Sequence, residues 1–161
     1  FEEAKMVKVG QVAPMFVLPD SDMESVDIAQ FHGKNNLILF FYPRDDTPVC
    51  TLEATDFSDH EDEFLRHSCV VIGISRDECI KHAEFRDKHG ISVSLLSDTD
   101  GAVCKRYGVW QAKEMDGVKK FGIVRSTFVI DKQGVLRLMY SGVNAKGHVL
   151  DVLRAVKEIN L

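Results

Sequence analysis

The sequence has no CxxC pair, no apolar run near the ~20 residues of a membrane span, and no basic cluster larger than Lys119-Lys120. The first absence removes the usual mark of a dithiol redox pair. The second leaves no membrane-crossing segment, and the opening FEEAKMVKVG has neither the basic nor the apolar stretch of a secretory leader. The third, with a net charge of −5, argues against a nucleic-acid surface. A cytoplasmic protein with neither a membrane nor a nucleic acid as partner is expected.

Cysteine is scarce. Cys50, Cys69, Cys79 and Cys104 match no zinc ribbon, and four in 161 residues do not suggest a secreted disulfide scaffold. The six histidines, His32, His60, His67, His82, His89 and His148, share no ligand spacing and read as surface residues. SDTDG, residues 97–101, lacks the later acidic positions of a calcium loop and reads as a helix cap. No metal and no cofactor is expected. Length and a 45% hydrophobic content fit one globular domain spanning residues 1–161.

FYPRDDTPVCTLE, from Phe41 to Glu53, organises the chain. Leu37 to Tyr42 reads as a strand buried on both faces, and Pro43 ends it by removing a backbone donor. Thr47 followed by Pro48 has the grammar of a helix start, a hydroxyl N-cap and then proline at the first helical position. Cys50 then falls in the first turn, over unpaired amides. The positive end of the helix dipole favours a thiolate there, with a backbone or Thr47 hydrogen bond in support. A thiol so shifted is a nucleophile; the alternative is that Cys50 is a small core residue in a capped helix.

Before this segment, Ala13 to Leu18 reads as a strand and Val26 to Phe31 as a strand or one helical turn. After it, Pro48 to Arg66 has a helical pattern through Leu52, Phe57 and Phe64. Cys69 to Ile74 is a second buried strand, and Asp77 to His89 a helix stopped at Gly90. Val93 to Leu96 is a short strand, and Gly101 to Tyr107 a short helix. Val109 to Ile123, with the only tryptophan, Trp110, reads as a long irregular loop. A hairpin, Ser126 to Ile130 with Val135 to Tyr140, precedes a closing helix with an apolar stripe from Val149 to Ile159. The order predicts an α/β layer plan with a central mixed sheet, its first two central strands parallel, flanked by helices. Functional groups in such sheets collect at the carboxyl ends of the parallel strands, where PRDDTPVC lies.

Pro43, Thr47 and Cys50 match the P-x-x-x-T-x-x-C signature of peroxiredoxins. VIGISRD, LLSDTDG, YGVW and GIVRSTFVID extend the match, so that the chain resembles the peroxiredoxin Q or bacterioferritin comigratory protein branch along nearly its whole length. The resemblance implies a thioredoxin-like fold and thiol-dependent reduction of hydrogen peroxide and organic hydroperoxides. Cys50 matches the peroxidatic cysteine, Thr47 and Pro43 the pocket residues, and Arg125 the active-site arginine. Glu53, one turn after Cys50, is a candidate to orient that arginine. The implied reductant is thioredoxin, glutaredoxin or a small thiol, and the implied assembly a monomer or homodimer.

One family feature is missing. The two usual positions of a resolving cysteine are Thr55 and Arg86 here. A one-cysteine cycle closed by an external thiol, Cys79 as resolver, and Cys104 as resolver all stay open, while Cys69 reads as core. Two other functions compete with the peroxidase: a disulfide oxidoreductase, against which the missing CxxC counts, and a binding module in which Cys50 stays a thiol.

Overall fold

A computed structural model describes residues 7–159 and Leu161. The N-terminal stretch read for a leader begins in residues 1–6, outside the described residues. Five strands form the central sheet, in the order β5, β4, β3, β8, β9. β3 (Asn36–Phe41), β4 (Cys69–Ser75) and β5 (Ser94–Ser97) run parallel. β8 (Ser126–Ile130) and β9 (Leu136–Ser141) continue antiparallel from β3. The mixed sheet and its parallel pair are those the sequence predicts.

β3 is buried at every position, as a strand covered on both faces must be. Ile38, Phe40 and Tyr42 meet Phe57, Phe64, Phe85 and Val152 on one side. These come from α1 (Pro48–Asp59), α2 (Glu61–Arg66), α3 (Cys79–His89) and α5 (His148–Ile159). Leu37, Leu39 and Phe41 meet Tyr107, Phe128 and Val103 on the other, the last from α4 (Ala102–Arg106). Gly73 in β4 permits this packing: a Cβ there would lie 2.6 Å from Phe40 Cζ and 2.9 Å from Leu95 Cδ2.

Several expectations need correction. The helix expected over residues 48–66 breaks at His60, whose backbone leaves the helical region while its ring nitrogen Nδ1 lies 2.9 Å from the Asp56 carbonyl. Its buried face is also different. Cys50, Glu53, Ala54 and Phe57 form it, at i, i+3, i+4 and i+7, whereas Leu52 is 41% exposed. α3 begins at Cys79 with Glu78 as its cap, because the Asp77 carboxylate is occupied by the Asp45 amide and the Ser75 hydroxyl. His82 and His148 are buried, not surface residues.

The largest correction concerns residues 109–123. β6 (Trp110–Met115) and β7 (Val118–Ile123) form a regular antiparallel hairpin. Asp116 and Gly117 turn it with φ of 53° and 75°, the positive pair a two-residue hairpin turn demands. Its mostly solvated strands carry no alternating apolar face. β1 (Val17–Pro19) and β2 (Ser25–Asp27) make a smaller ribbon, followed by a 3-10 turn over Ile28–Phe31. The cap reading of SDTDG holds: the Asp98 carboxylate accepts from the Val103 and Cys104 amides at 3.2 and 2.7 Å. Among the described residues, no helix is long and apolar enough to cross a membrane.

Candidate active site

Pro43 follows the carboxyl end of the central strand β3, and Thr47 and Pro48 start α1 four residues later, so Cys50 occupies the third helical position. The Thr47 hydroxyl does not close the cap as the sequence suggests. It donates to the Arg44 carbonyl at 3.1 Å, and the cap has no side-chain hydrogen bond. Cys50 is buried, 1% exposed. Its donor comes from across the chain: Arg125 Nη2 lies 3.2 Å from Cys50 Sγ.

Arg125 occupies the short link between β7 and β8. The backbone there is tied on both sides, with the Val124 amide donating to Val109 at 2.8 Å and the Val143 amide to the Arg125 carbonyl at 3.0 Å. Arg125 Nη1 donates to Glu53 Oε1 at 2.7 Å. Cys50 and Glu53 lie one turn apart on the buried face of α1, so one guanidinium fork spans both. Burial works against the Arg125 charge, but its donation to Cys50 and the Glu53 carboxylate more than offset this and tighten its hold on its proton. Burial pushes the Glu53 carboxyl up to about 7, with Arg125 pulling the other way.

The loop between Pro43 and Thr47 is pinned at its centre. Asp45 Oδ1 accepts from the Tyr42 hydroxyl at 2.6 Å, and Asp45 Oδ2 lies 2.6 Å from His82 Nδ1. The other ring nitrogen of His82 lies 3.0 Å from the Leu96 carbonyl. A carbonyl only accepts, so Nε2 carries a proton, and a further proton shared in the Nδ1–Oδ2 contact joins the two side chains. Asp46 adds a second anchor. Its backbone adopts φ of 60°, which aspartate tolerates, and its carboxylate meets Lys88 at 2.8 Å and His89 at 2.7 Å. Those two bonds, Lys88 first, hold its carboxyl below the usual range. The active-site loop is thereby fastened to α3. Asp45, Asp77 and His82 bring three ligand-type atoms within 4.8 Å of one another, but the bonds just described already use them.

A cleft of about 580 Å³ opens beside Pro43 and Thr47, walled by Arg44, Arg76 and the hairpin residues Trp110, Lys113, Lys120 and Phe121. Lys113 donates to the Ile123 carbonyl. Burial, then the nearby Arg125, lowers its affinity for its proton. Cys79 is half-buried at the start of α3, and Arg86 is engaged with Asp22 and Asp87. Burial pushes the Cys69 thiol up to about 11 and that of Cys104 higher still.

The structure thus brings Cys50, Arg125 and Glu53 into direct contact and sets Pro43 and Thr47 on the adjoining cleft. Sequence reasoning missed the Asp45–His82 pair, since a buried histidine carries no periodic signal. It missed the Lys113–Lys120 wall because the hairpin was read as a loop; the Asp116-Gly117 turn was the available clue.

A family model described as the AhpC/TSA family matches residues 9–139. A putative peroxiredoxin bcp of Coxiella burnetii is 42% identical over 147 residues, covering 91% of this chain and 97% of that protein. Peroxiredoxin Bcp of Bacillus subtilis is 38% identical over 154 residues, covering 96% and 98%. Among solved structures, the bacterioferritin comigratory protein of Xanthomonas campestris, described by its alkyl peroxide reduction activity, superposes with a TM-score of 0.86 at 33% identity. That match covers 91% of this chain and 92% of the other. A mutant of Xylella fastidiosa PrxQ gives 0.91 at 28% identity, covering 98% and 99%.

Proposed function

The chain belongs to the AhpC/TSA family, in its peroxiredoxin Q/Bcp branch, and from that premise we propose that Cys50 carries its thiol peroxidase chemistry with Arg125, Thr47, Pro43 and Glu53 around it. The supporting observation is the single guanidinium that donates to both Cys50 Sγ and Glu53 Oε1. Attack by a thiolate on a peroxide oxygen forms an S–O bond and breaks the O–O bond. The products are a sulfenic acid on Cys50 and an alkoxide or hydroxide that takes up a proton.

Each neighbour has a task in that step. Arg125 favours the thiolate and faces the charge that develops on the departing oxygen, where a fixed donor is worth most. Thr47 offers its hydroxyl to the peroxide once it turns from Arg44, and Pro43 presents an apolar wall that excludes water. Glu53 orients Arg125 and touches no substrate. Hydrogen peroxide and organic hydroperoxides are the substrates of this reading.

The cycle closes by reduction of the sulfenic acid with an external thiol, supplied by thioredoxin, glutaredoxin or a small thiol, in a cytoplasmic monomer or homodimer of one domain. Cys79 is the alternative resolver to an external thiol: it is half-buried, whereas Cys69 and Cys104 are fully buried with thiols that resist ionisation. Intact-mass analysis after one equivalent of peroxide tests the first half. A gain of one oxygen mapped to Cys50, absent in Cys50→Ser, is expected; an unmodified Cys50 would favour the binding-module reading instead.

A further inference from the structure

The cleft beside Pro43 and Thr47 carries charge opposite to that of the chain. The protein has a net charge of −5, yet Arg44, Arg76, Lys113 and Lys120 line the cleft and, among the described residues, no aspartate or glutamate does. Lys113 and Lys120 are directly opposed in the β6–β7 register. Like charges so placed cost a hairpin stability unless an anion comes between them. Arg76 is held in place, its guanidinium donating to the Thr99 carbonyl at 3.1 and 3.3 Å and lying 4.6 Å from the Trp110 ring. Lys113 bonds the carbonyl of Ile123, two residues before Arg125, so this wall of the cleft is joined in the chain to the guanidinium that holds Cys50. The Trp110 and Phe121 rings, stacked at 6.4 Å, give an apolar wall. A concave space of this volume suits a small molecule rather than the face of a folded partner.

The second half of the cycle is where such a ligand is needed. Thr55 and Arg86 stand at the usual resolving positions, Cys69 and Cys104 are sealed in the core, and the helix that carries Cys79 is bonded to the active-site loop through His82, Lys88 and His89. A reducing thiol must then come from outside.

We propose that this cleft binds a small thiol bearing carboxylates, which resolves the Cys50 sulfenic acid. The proposal rests on the reading of Cys50 as the peroxide-reducing residue. The bound thiolate attacks the Cys50 sulfur; an S–S bond forms, the S–O bond breaks, and the departing hydroxide takes the proton the thiol released and leaves as water. A second thiol attacks the mixed disulfide, returning Cys50 as a thiol and releasing the small-molecule disulfide. Two thiols are oxidised for each peroxide reduced.

The test preforms the sulfenic acid on the full chain and follows its decay with glutathione, which carries two carboxylates, and with neutral 2-mercaptoethanol, each rate corrected for thiolate fraction. In the wild type the glutathione-to-mercaptoethanol ratio should fall as salt is raised. Lys120→Glu should lower that ratio about tenfold, the effect of reversing one charge near a carboxylate at the surface. Lys120→Arg should retain it. The reversed charge faces Lys113 across the hairpin, an opposite-charge pair that supports the fold. An unchanged ratio overturns the proposal. So does the same charge discrimination appearing in the first step, between a carboxylate-bearing and a neutral hydroperoxide, which would assign the cleft to the peroxide. Failure of the wild type to form any sulfenic acid would instead sink the Cys50 reading itself.

Discussion

Glu53 is fully buried, yet only one of its oxygens is bonded: Oε1 accepts from Arg125 Nη1 at 2.7 Å, while Oε2 has no partner among the described residues. A carboxylate with one free buried oxygen is poorly compensated, which is why burial outweighs the arginine and lifts its proton affinity. The pair therefore trades stability for the placement of the guanidinium on Cys50.

The first prediction concerns pH. The folded Glu53 titrates near 7 against an unfolded value of 4.5, so the native state holds its proton more tightly. Its contribution to stability is fully present below about pH 4.5 and is lost as pH rises through 7, a swing of roughly 3 kcal/mol. Glu53→Gln keeps the shape and removes the titration. Urea unfolding at pH 5, 7 and 8 should show a flatter pH profile in the variant; parallel profiles would rule this account out.

Arg125→Lys should slow sulfenylation of Cys50 by on the order of 100-fold, because one ammonium cannot meet Sγ and Glu53 together as the planar fork does. Stopped-flow peroxide consumption under single-turnover conditions measures the step directly. A loss below threefold would remove Arg125 from the chemistry.

The legible parts of the molecule were those written in local grammar. The apolar run of β3, the Thr47-Pro48 start and the Gly90 stop specify their elements through backbone rules that act over a few residues. Cys50 could be placed for the same reason. Glu53 was ambiguous, because a glutamate on a helix is normally solvated, and only contact with Arg125, 72 residues away, makes its burial tolerable. His82 was invisible because its meaning lies entirely in partners from other elements, whereas the Lys113–Lys120 pair was readable only through the Asp116-Gly117 turn that sets their register.

The His82 pair gives a stability prediction. His82→Gln leaves the Asp45 carboxylate buried with the Tyr42 hydroxyl as its one remaining side-chain donor, and should cost about 3–5 kcal/mol. Asp45→Asn together with His82→Gln should recover much of that loss, since no buried charge is then stranded. Denaturant melts of the two singles and the double close the cycle; additive losses would mean that the two residues do not form a pair.

The same anchors decide the fate of the sulfenic acid when no thiol is present. His82 lies one turn from Cys79 on α3, and Lys88 and His89 fasten the far end of that helix to Asp46. Those contacts hold α3 in place, and Cys50 is itself buried in the first turn of α1. The wild type treated with one equivalent of peroxide and no reductant should therefore keep the added oxygen on Cys50, and excess peroxide should carry it on to the sulfinic acid. Intact mass with peptide mapping distinguishes the outcomes. A rapid loss of two hydrogens, mapped to a Cys50–Cys79 disulfide and abolished in Cys79→Ser, would show that α3 opens readily and that Cys79 is the resolver.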